Sequence, residues 1–480
     1  MGYRSVIGAE AHVQLNTNSK LFCSCSAEFG GEPNSRCCPV CLGFPGALPV
    51  MNRKAVEFTI LTALALNCQV AERCRFARKN YFYPDLPKNY QISQYEEPIG
   101  SNGYLDVEVD GKTKRVRIRR VHLEEDTGKS IHTAQGTSLV DFNRCGLPLM
   151  EVVAEPDIET PQQARAYYTG LHALLLYLGV TTGSMEEGGL RCEPNVSVAP
   201  EGAKELGTKV ELKNLNSFRS VMLGMEYEID RQIEQLKAGK RIVQETRRWD
   251  EVKGITTSMR SKEWAHDYRY FPEPDLVPVH IDQPWLDSIR GQLPELPAER
   301  KQRFMVEYAI PEYNAALLVS SRALSDFFEE CVSLFPEAKT ISNWLMGDVS
   351  RLLNERRLDI TQSPVSPSDL AEFLRLQKEG VVSGPAAKRV LEEMFNTGRS
   401  PSAVVEEDGL GQVSAEEGLL DVISQVLKEN PDAVERFLAG KAQAKTFLVG
   451  QIMKATKGRA NPKVLHDLLE KALEKAEGGI

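Results

Sequence analysis

Single carboxylates centred in strand-like segments are the residues of this chain best suited to chemistry. In "VIGAEAHVQL", Ile7, Ala9, Ala11, Val13 and Leu15 share one face of an extended chain, and Glu10, His12 and Gln14 share the other. In "LMEVVAEPD", Glu151 faces away from Met150 and Val152. In "RCEPNVSVAP", Glu193, Asn195 and Ser197 oppose Pro194, Val196 and Val198. In "TKVELKNLNSF", Lys209, Glu211 and Lys213 oppose Val210 and Leu212. "KRVRIRRVHLEEDTGKS" carries Arg115, Arg117 and Arg119 into Glu124, Glu125 and Asp126. Taken alone, each segment is a polar strand face turned to water. Together they can build one sheet with an acidic surface, which repels itself unless cations neutralise it. Oxygen-rich sites with one or two histidines suit Mg²⁺ or Mn²⁺, and Mg²⁺ held by few carboxylates keeps room for nucleotide phosphates. Lys209, Lys213 and the arginines of 115 to 120 are the cations at hand for such phosphates.

A second chemical signal is denser. Five of the ten cysteines lie in "FCSCSAEFGGEPNSRCCPVC", residues 22 to 41. Cys23 and Cys25 form one close pair, Cys38 and Cys41 another, with Gly30, Gly31, Pro33 and Asn34 between them. Two thiol pairs joined by a turn-rich loop match tetrahedral Zn²⁺, each pair supplying one edge. Buried free cysteines are the alternative. Cys37 is adjacent to Cys38 and is read as a bystander. Four thiolates leave no open position for a substrate, so the zinc would be structural.

These residues need elements to hold them. Residues 1 to 290 read as mixed strand and helix with many Gly/Pro turns. From 291 to 410 the spacing turns helical ("LPELPAERKQRFMVEY", "ALSDFFEECVSLF"), and 411 to 480 reads as a small helical tail after a breaker-rich stretch. The fold class is therefore α+β: an N-terminal cradle with an acidic sheet face, then an all-α domain, then an all-α tail. The chain of 480 residues carries a net charge of −9, so any RNA contact must come from a local patch. No run approaches the ~20 apolar residues of a membrane span. The N-terminus shows neither signal nor transit character, which points to the cytoplasm, where disulfides are disfavoured. P-loop and Rossmann glycine motifs are absent, as are the H-E-x-x-H and G-x-S-x-G signatures.

The tail offers the local patch. No acid occurs between Glu435 and Asp467, while Arg436, Lys441, Lys445, Lys454, Lys457, Arg459 and Lys463 do. Phe447, Leu448, Ile452 and Met453 form an apolar stripe that docks the helix and leaves the lysines in water. A surface free of acids suits the phosphate backbone of RNA.

The segments "KNYFYPDLPKNYQISQYEEPIG", "HLEEDTGKS", "DFNRCGLPLMEVVAEPD", "ELKNLNSF", "QETRRWDE", "DYRYFPEPDLVP", "SNWLMGDV" and "FLVGQIMKATKGRANP" closely resemble the B subunit of the glutamyl/aspartyl-tRNA amidotransferases, in order and across the whole chain. The resemblance implies a heterotrimer with an amidase A subunit and a small C subunit. It implies that ATP phosphorylates the side-chain carboxylate of Glu-tRNA(Gln) or Asp-tRNA(Asn), and that ammonia delivered by the A subunit displaces the phosphate. It implies a glutamine synthetase-like cradle and a tail that meets tRNA through residues such as Lys441, Lys445, Lys454, Lys457 and Arg459. By position it gives His12, Glu125 and Glu151 as Mg²⁺ ligands, with Glu193 also a candidate. Glu10, Glu124 and Glu211 become further pocket acids and Lys213 a phosphate partner.

Two departures stand out. "GAEAHVQL" replaces the usual G-L-E-V-H-V-Q-L, and "RCEPN" replaces R-C-D-A-N, which lengthens the acid at 193 and removes a ladder donor at Pro194. Two rival readings are a free-standing ATP-dependent amide ligase, which needs no basic tail, and a non-catalytic zinc-stabilised tRNA-binding scaffold, which needs no clustered Glu10, His12, Glu125 and Glu151.

Overall fold

The computed structural model describes residues 2–133, 135–261, 268–410, 416–438, 442–456, 460 and 462–477. The chain divides into two compact units, Met1–Leu296 and Pro297–Ile480.

Nine strands make the main sheet of the first unit. They are β1 (Tyr3–Gln14), β2 (Gln69–Val70), β3 (Gly100–Val109), β4 (Lys112–Glu125), β5 (Pro148–Ala154), β6 (Leu190–Pro200), β7 (Val210–Lys213), β8 (Glu245–Asp250) and β9 (Ile255–Ser261). Their order is β9-β8-β7-β6-β1-β5-β4-β3-β2. Only β7 and β8 run parallel; every other neighbouring pair is antiparallel. β1 therefore sits at the centre, between two strands that lie far from it in sequence.

Helices α1 (Arg53–Ala65), α2 (Pro161–Leu178) and α3 (Phe218–Lys237) cover one face. Local signals start and stop them. The Asn52 side chain accepts from the backbone N–H groups of Lys54 and Ala55. Thr160 caps α2 ahead of Pro161, and Gly179, at φ 69°, ends it in the left-handed region that glycine adopts without strain. Ile7, Ala9, Ala11 and Val13 of β1 enter this core with Met150 and Val152 of β5, Val196 of β6, and Val210 and Leu212 of β7. The alternation in the sequence is thus the alternation of the sheet, core on one side and polar groups on the other.

β4 is the exception, because its alternation changes phase. Val116 and Ile118 face the core, and so do Val121 and Leu123. The switch falls where the β4–β5 register slips, Ala154 pairing with Ile118 and Val153 with Arg120. An extra residue at such a bulge turns every later side chain over. Consequently Arg115, Arg117 and Arg119 share a face with His122 and Glu124, whereas Glu125 points the other way.

Above the polar face lies a small sheet of Phe271–Pro272, Ala77–Asn80 and Tyr90–Ser93. Asn80 ties it down: its N–H donates to the Tyr268 carbonyl at 2.9 Å, and its side-chain amide to the Arg269 carbonyl at 2.8 Å.

The described part of the second unit is helical and holds two apolar clusters. One gathers Phe304, Phe328, Ile341, Leu370, Phe373 and Val390. The other, around Leu419, Ile423, Leu448, Ile452, Leu465 and Leu469, unites the helices Glu416–Glu429, Ala442–Ala455 and Pro462–Glu477. "SNWLMGDV" contains a π-helical turn, Leu345–Val349, between two α-helical segments. No helix among the described residues is long and apolar enough to cross a membrane.

Candidate active site

A cleft of about 730 Å³ opens between the polar sheet face and the small sheet above it. Its floor carries Glu10, His12, Glu151, Glu193, Glu211 and Lys213, and its upper wall Lys79, Asn80, Tyr81 and Tyr268. The register explains the convergence. Glu10 pairs across to Glu193, His12 to Glu151, and Asn195 to Glu211, so four strands deliver their polar residues to one patch, and β4 adds Glu124 beside them.

The tightest grouping is His12, Glu124 and Glu151, whose candidate ligand atoms all lie within 4.8 Å of one another. His12 Nε2 is 3.6 Å from Glu124 Oε1 and 3.8 Å from Glu151 Oε2, too long for hydrogen bonds. His12 Nδ1 is buried without a hydrogen-bond partner. A nitrogen and two carboxylate oxygens turned toward a common point, unbonded to one another, are a donor set that fits Mg²⁺ or Mn²⁺. His122 braces the pair from behind, with Nε2 3.0 Å from Glu151 Oε2, and Ser93 Oγ donates to Glu124 Oε2 at 3.0 Å.

Charge in the cleft is balanced by named partners. Burial pushes Glu124 up, but His122, whose Nε2 stands 3.7 Å from Glu124 Oε2, and the charge of Lys79 overcome it and hold the acid at about 2. Glu151 is likewise buried yet held well below the usual carboxylate range by His122 and His12. Burial would strip His122 and Lys79 of their protons. The two carboxylates reverse this for His122, and Glu124 does so for Lys79, so both stand above their ordinary values. Glu10 is raised, first by burial and then by the charge of Glu151, and its Oε1 accepts from the Asn195 amide at 3.0 Å. Lys213 lies 2.7 Å from Glu193 and 3.5 Å from Glu211, and those acids keep it protonated despite burial.

Glu125 is not in this group. It faces away from the cleft, 2.5 Å from Lys88 Nζ, and accepts the Ile92 N–H at 2.9 Å. The phase change in β4 is the cause. Unbroken alternation from the three arginines would have put Glu125, not Glu124, beside His12. Those arginines do not reach the cleft either: Arg115 pairs with Asp106, Arg117 with Asp157 and Arg119 with Glu155, all near the surface. Lys209 lies outside β7 and is exposed. Sequence reading passed over Lys79, which belongs to a different sheet, and His122, which sits two residues before Glu124 on the same face and was open to the alternation argument.

The sulfurs of Cys23, Cys25, Cys38 and Cys41 also lie within 4.8 Å of one another, so this cluster could hold a metal. Cys37 is not part of it. All ten cysteines are free thiols. The Cys38 N–H donates to Cys41 Sγ at 3.2 Å, and the hydrogen bond from Cys23 leads in holding Cys41 down at about 4. The same contact pushes Cys23 up.

In the tail, Leu448 and Ile452 are buried while Phe447 is half-exposed. Lys454 is exposed, and Lys445 pairs with Glu470 at 3.0 Å. Lys441, Lys457 and Arg459 lie outside the described residues.

Residues 5–287 match the GatB/GatE catalytic domain, and residues 326–473 match the GatB domain. The chain is 54% identical over 475 residues to the aspartyl/glutamyl-tRNA(Asn/Gln) amidotransferase B subunit of Thermoanaerobacter pseudethanolicus, covering 99% of this chain and 100% of the relative. It is 55% identical over 476 residues to the corresponding protein of Moorella thermoacetica (98% and 100%) and 54% identical over 479 residues to that of Carboxydothermus hydrogenoformans (98% and 99%). The chain belongs to the family of aspartyl/glutamyl-tRNA amidotransferase B subunits.

Proposed function

We propose that this chain activates and amidates the side-chain carboxylate of Glu or Asp carried on tRNA(Gln) or tRNA(Asn), as the B subunit of a complex with an amidase A subunit and a small C subunit. ATP is the phosphoryl donor, and the product is Gln-tRNA(Gln) or Asn-tRNA(Asn). The observation that carries this reading is the His12–Glu124–Glu151 grouping at the floor of an acidic cleft that Lys79 and Lys213 also line, in a chain of this family. A carboxylate resists attack by ammonia, whereas an acyl phosphate accepts it, and forming the acyl phosphate is a matter of positioning and charge compensation.

His12, Glu124 and Glu151 are the residues we assign to Mg²⁺, in place of the set containing Glu125, with Glu193, Glu211 and Glu10 around them. A bound Mg²⁺ supplies charge neutralisation and orientation for phosphate oxygens. Lys79 on the upper wall and Lys213 on the floor place fixed positive charge where a phosphoryl group in transfer is most negative. His122 is a positioning residue: its proton bridges toward Glu151 and Glu124 and fixes both carboxylates before substrate arrives. Asn195 and the Thr246 hydroxyl, which donates to Glu211 at 2.6 Å, orient the outer acids in the same way. The cysteine cluster is read as a structural Zn²⁺ site, because four sulfurs close the coordination sphere. The basic tail helix, with Lys445, Lys454 and the flanking Lys441, Lys457 and Arg459, is read as the tRNA contact, and the second unit as a helical domain followed by that tail.

The test is amidation of Glu-tRNA(Gln) by the reconstituted complex. Product should require ATP, Mg²⁺ and glutamine or ammonia together. Amidation that proceeds without ATP would refute carboxylate activation.

A further inference from the structure

Lys20 lies three residues before Cys23 and has no role in the cleft. It is one of the largest fully buried side chains in the molecule, at 0% exposure. A lysine ammonium buried this deeply is normally paired with an anion, because desolvating it otherwise costs several kcal/mol. No carboxylate among the described residues forms an ion pair with it. Its Nζ instead donates to the Phe142 carbonyl at 3.2 Å and stands 3.7 Å from Cys41 Sγ. The backbone holds it in place: the Lys20 N–H donates to the Cys25 carbonyl at 2.9 Å, and the next residue, Leu21, donates to the Gly146 carbonyl at 2.9 Å. Gly146, at φ 81°, lies against the same side chain: a Cβ there would be in ordinary contact with Cys41 Cβ at 3.5 Å, Lys20 Cδ at 3.7 Å and Glu125 Oε2 at 3.8 Å, a carboxylate already paired with Lys88. The pocket around this side chain is therefore built from both sides, by the cysteine loop and by the 142–146 turn.

The charge on the cluster depends on its chemical state. Four thiolates on one divalent ion carry a net charge of −2, whereas two disulfides carry none. A fixed buried cation beside Cys41 stabilises the first state and is left uncompensated by the second. We propose that Lys20 is the built-in counter-charge of the cysteine cluster, favouring four thiolates on a divalent metal and disfavouring disulfide formation among the same cysteines. The proposal rests on reading the cluster as a metal site. Lys20 acts here as a positioning and charge-compensating residue, not as a ligand.

The experiment uses the full chain purified in its complex. Zinc is titrated against a chromophoric chelator, and cobalt is substituted to read the sulfur-to-metal charge-transfer band. Lys20→Met should weaken zinc binding about 10- to 100-fold, the range for losing a partner of a metal ligand. It should also shift the cobalt band to longer wavelength, because sulfur without a nearby cation gives up electron density more easily. Lys20→Arg, which keeps the charge, should leave the band within a few nanometres of wild type. In a glutathione redox buffer without metal, Lys20→Met should form disulfide at a more reducing poise than wild type. If Lys20→Met does not fold, Lys20→Gln, which retains a donor for the Phe142 carbonyl, is read by the same criteria. Wild-type affinity together with an unshifted band in the neutral variant would overturn the proposal. Failure of wild type itself to bind one zinc per chain would instead overturn the reading of the cluster as a metal site.

Discussion

In the cysteine cluster four sulfurs face one buried lysine; in the cleft five glutamates face two lysines and two histidines. Both regions crowd anionic groups into space with little water, and both need cations to do so. The cluster draws its four sulfurs from one short loop, residues 23 to 41, and all of them lie within 4.8 Å of one another. The cleft draws its acids from five strands, and its His12, Glu124 and Glu151 atoms converge while leaving room above them. Closed and local geometry suits holding a fold together. Open geometry assembled from distant segments suits admitting a substrate. The difference teaches where function should be sought in this chain: under the proposed function the densest motif is the support, and the sparse acids are the site.

That contrast can be broken experimentally. The largest effect is expected from Glu124→Gln, which should cut ATP-dependent amidation by at least about 10³-fold, because it removes a charge from the ion-binding group. Glutaminase activity of the A subunit should persist, and retained amidation would move the reaction away from this group.

Next, the double change Cys38→Ser with Cys41→Ser should abolish metal content by elemental analysis and lower the thermal midpoint by more than about 10 °C, since structural zinc contributes directly to folding free energy. Protein that stays folded should still hydrolyse ATP. Loss of chemistry in a fully folded variant would erase the distinction between support and site.

Glu125→Gln sharpens the comparison within a single strand. It should leave Lys88 buried without its partner and cost about 3–5 kcal/mol in urea unfolding. Its effect on ATP hydrolysis at a temperature where it is folded should be well below that of Glu124→Gln. Equal catalytic losses would place both acids in the reaction.

A smaller effect concerns acid stability. Asp126 is buried, which raises its pKa, but Arg191 and Arg144 hold it below its ordinary value. A depressed carboxylate stabilises the fold fully above its unfolded value of about 3.9, and loses that contribution as pH falls through the lower folded value. Asp126→Asn should therefore reduce stability at neutral pH by about 1.5–3 kcal/mol and flatten the acid limb of the thermal midpoint against pH. A limb as steep as wild type would remove Asp126 from this balance.

The smallest change is expected from Lys454→Ala in the tail. It should weaken tRNA binding modestly and lower the slope of log K against log salt by about one. An unchanged slope would exclude Lys454 from the phosphate contacts.

Much of this architecture was legible in the residues. Alternation along Ile7–Val13, Met150–Val152 and Val210–Lys213 is enough to state which side chains are buried and which are polar, because a strand has only two faces. Close cysteine pairs are equally explicit, since spacing alone brings Cys38 and Cys41 together. Glu125 shows where that logic fails. A one-residue slip between β4 and β5 depends on a partner strand more than twenty residues away, and nothing in "RRVHLEED" announces it. Lys79 and Lys20 fail for the same reason. Each is an unremarkable lysine until a distant segment, the strand bearing Glu124 or the loop bearing Cys41, is folded against it.

The sequence by itself therefore determined the α+β and helical division, the family, the polar faces and the cysteine loop, because these depend on periodicity and on neighbours close along the chain. The tertiary structure alone decided which of two adjacent glutamates joins His12 and Glu151, which lysines lie beside each cluster, and that Arg115, Arg117 and Arg119 of β4 are spent on Asp106, Asp157 and Glu155. Those choices follow from strand register and from the approach of remote segments, and electrostatic pairing acts only at the few ångströms that such packing creates.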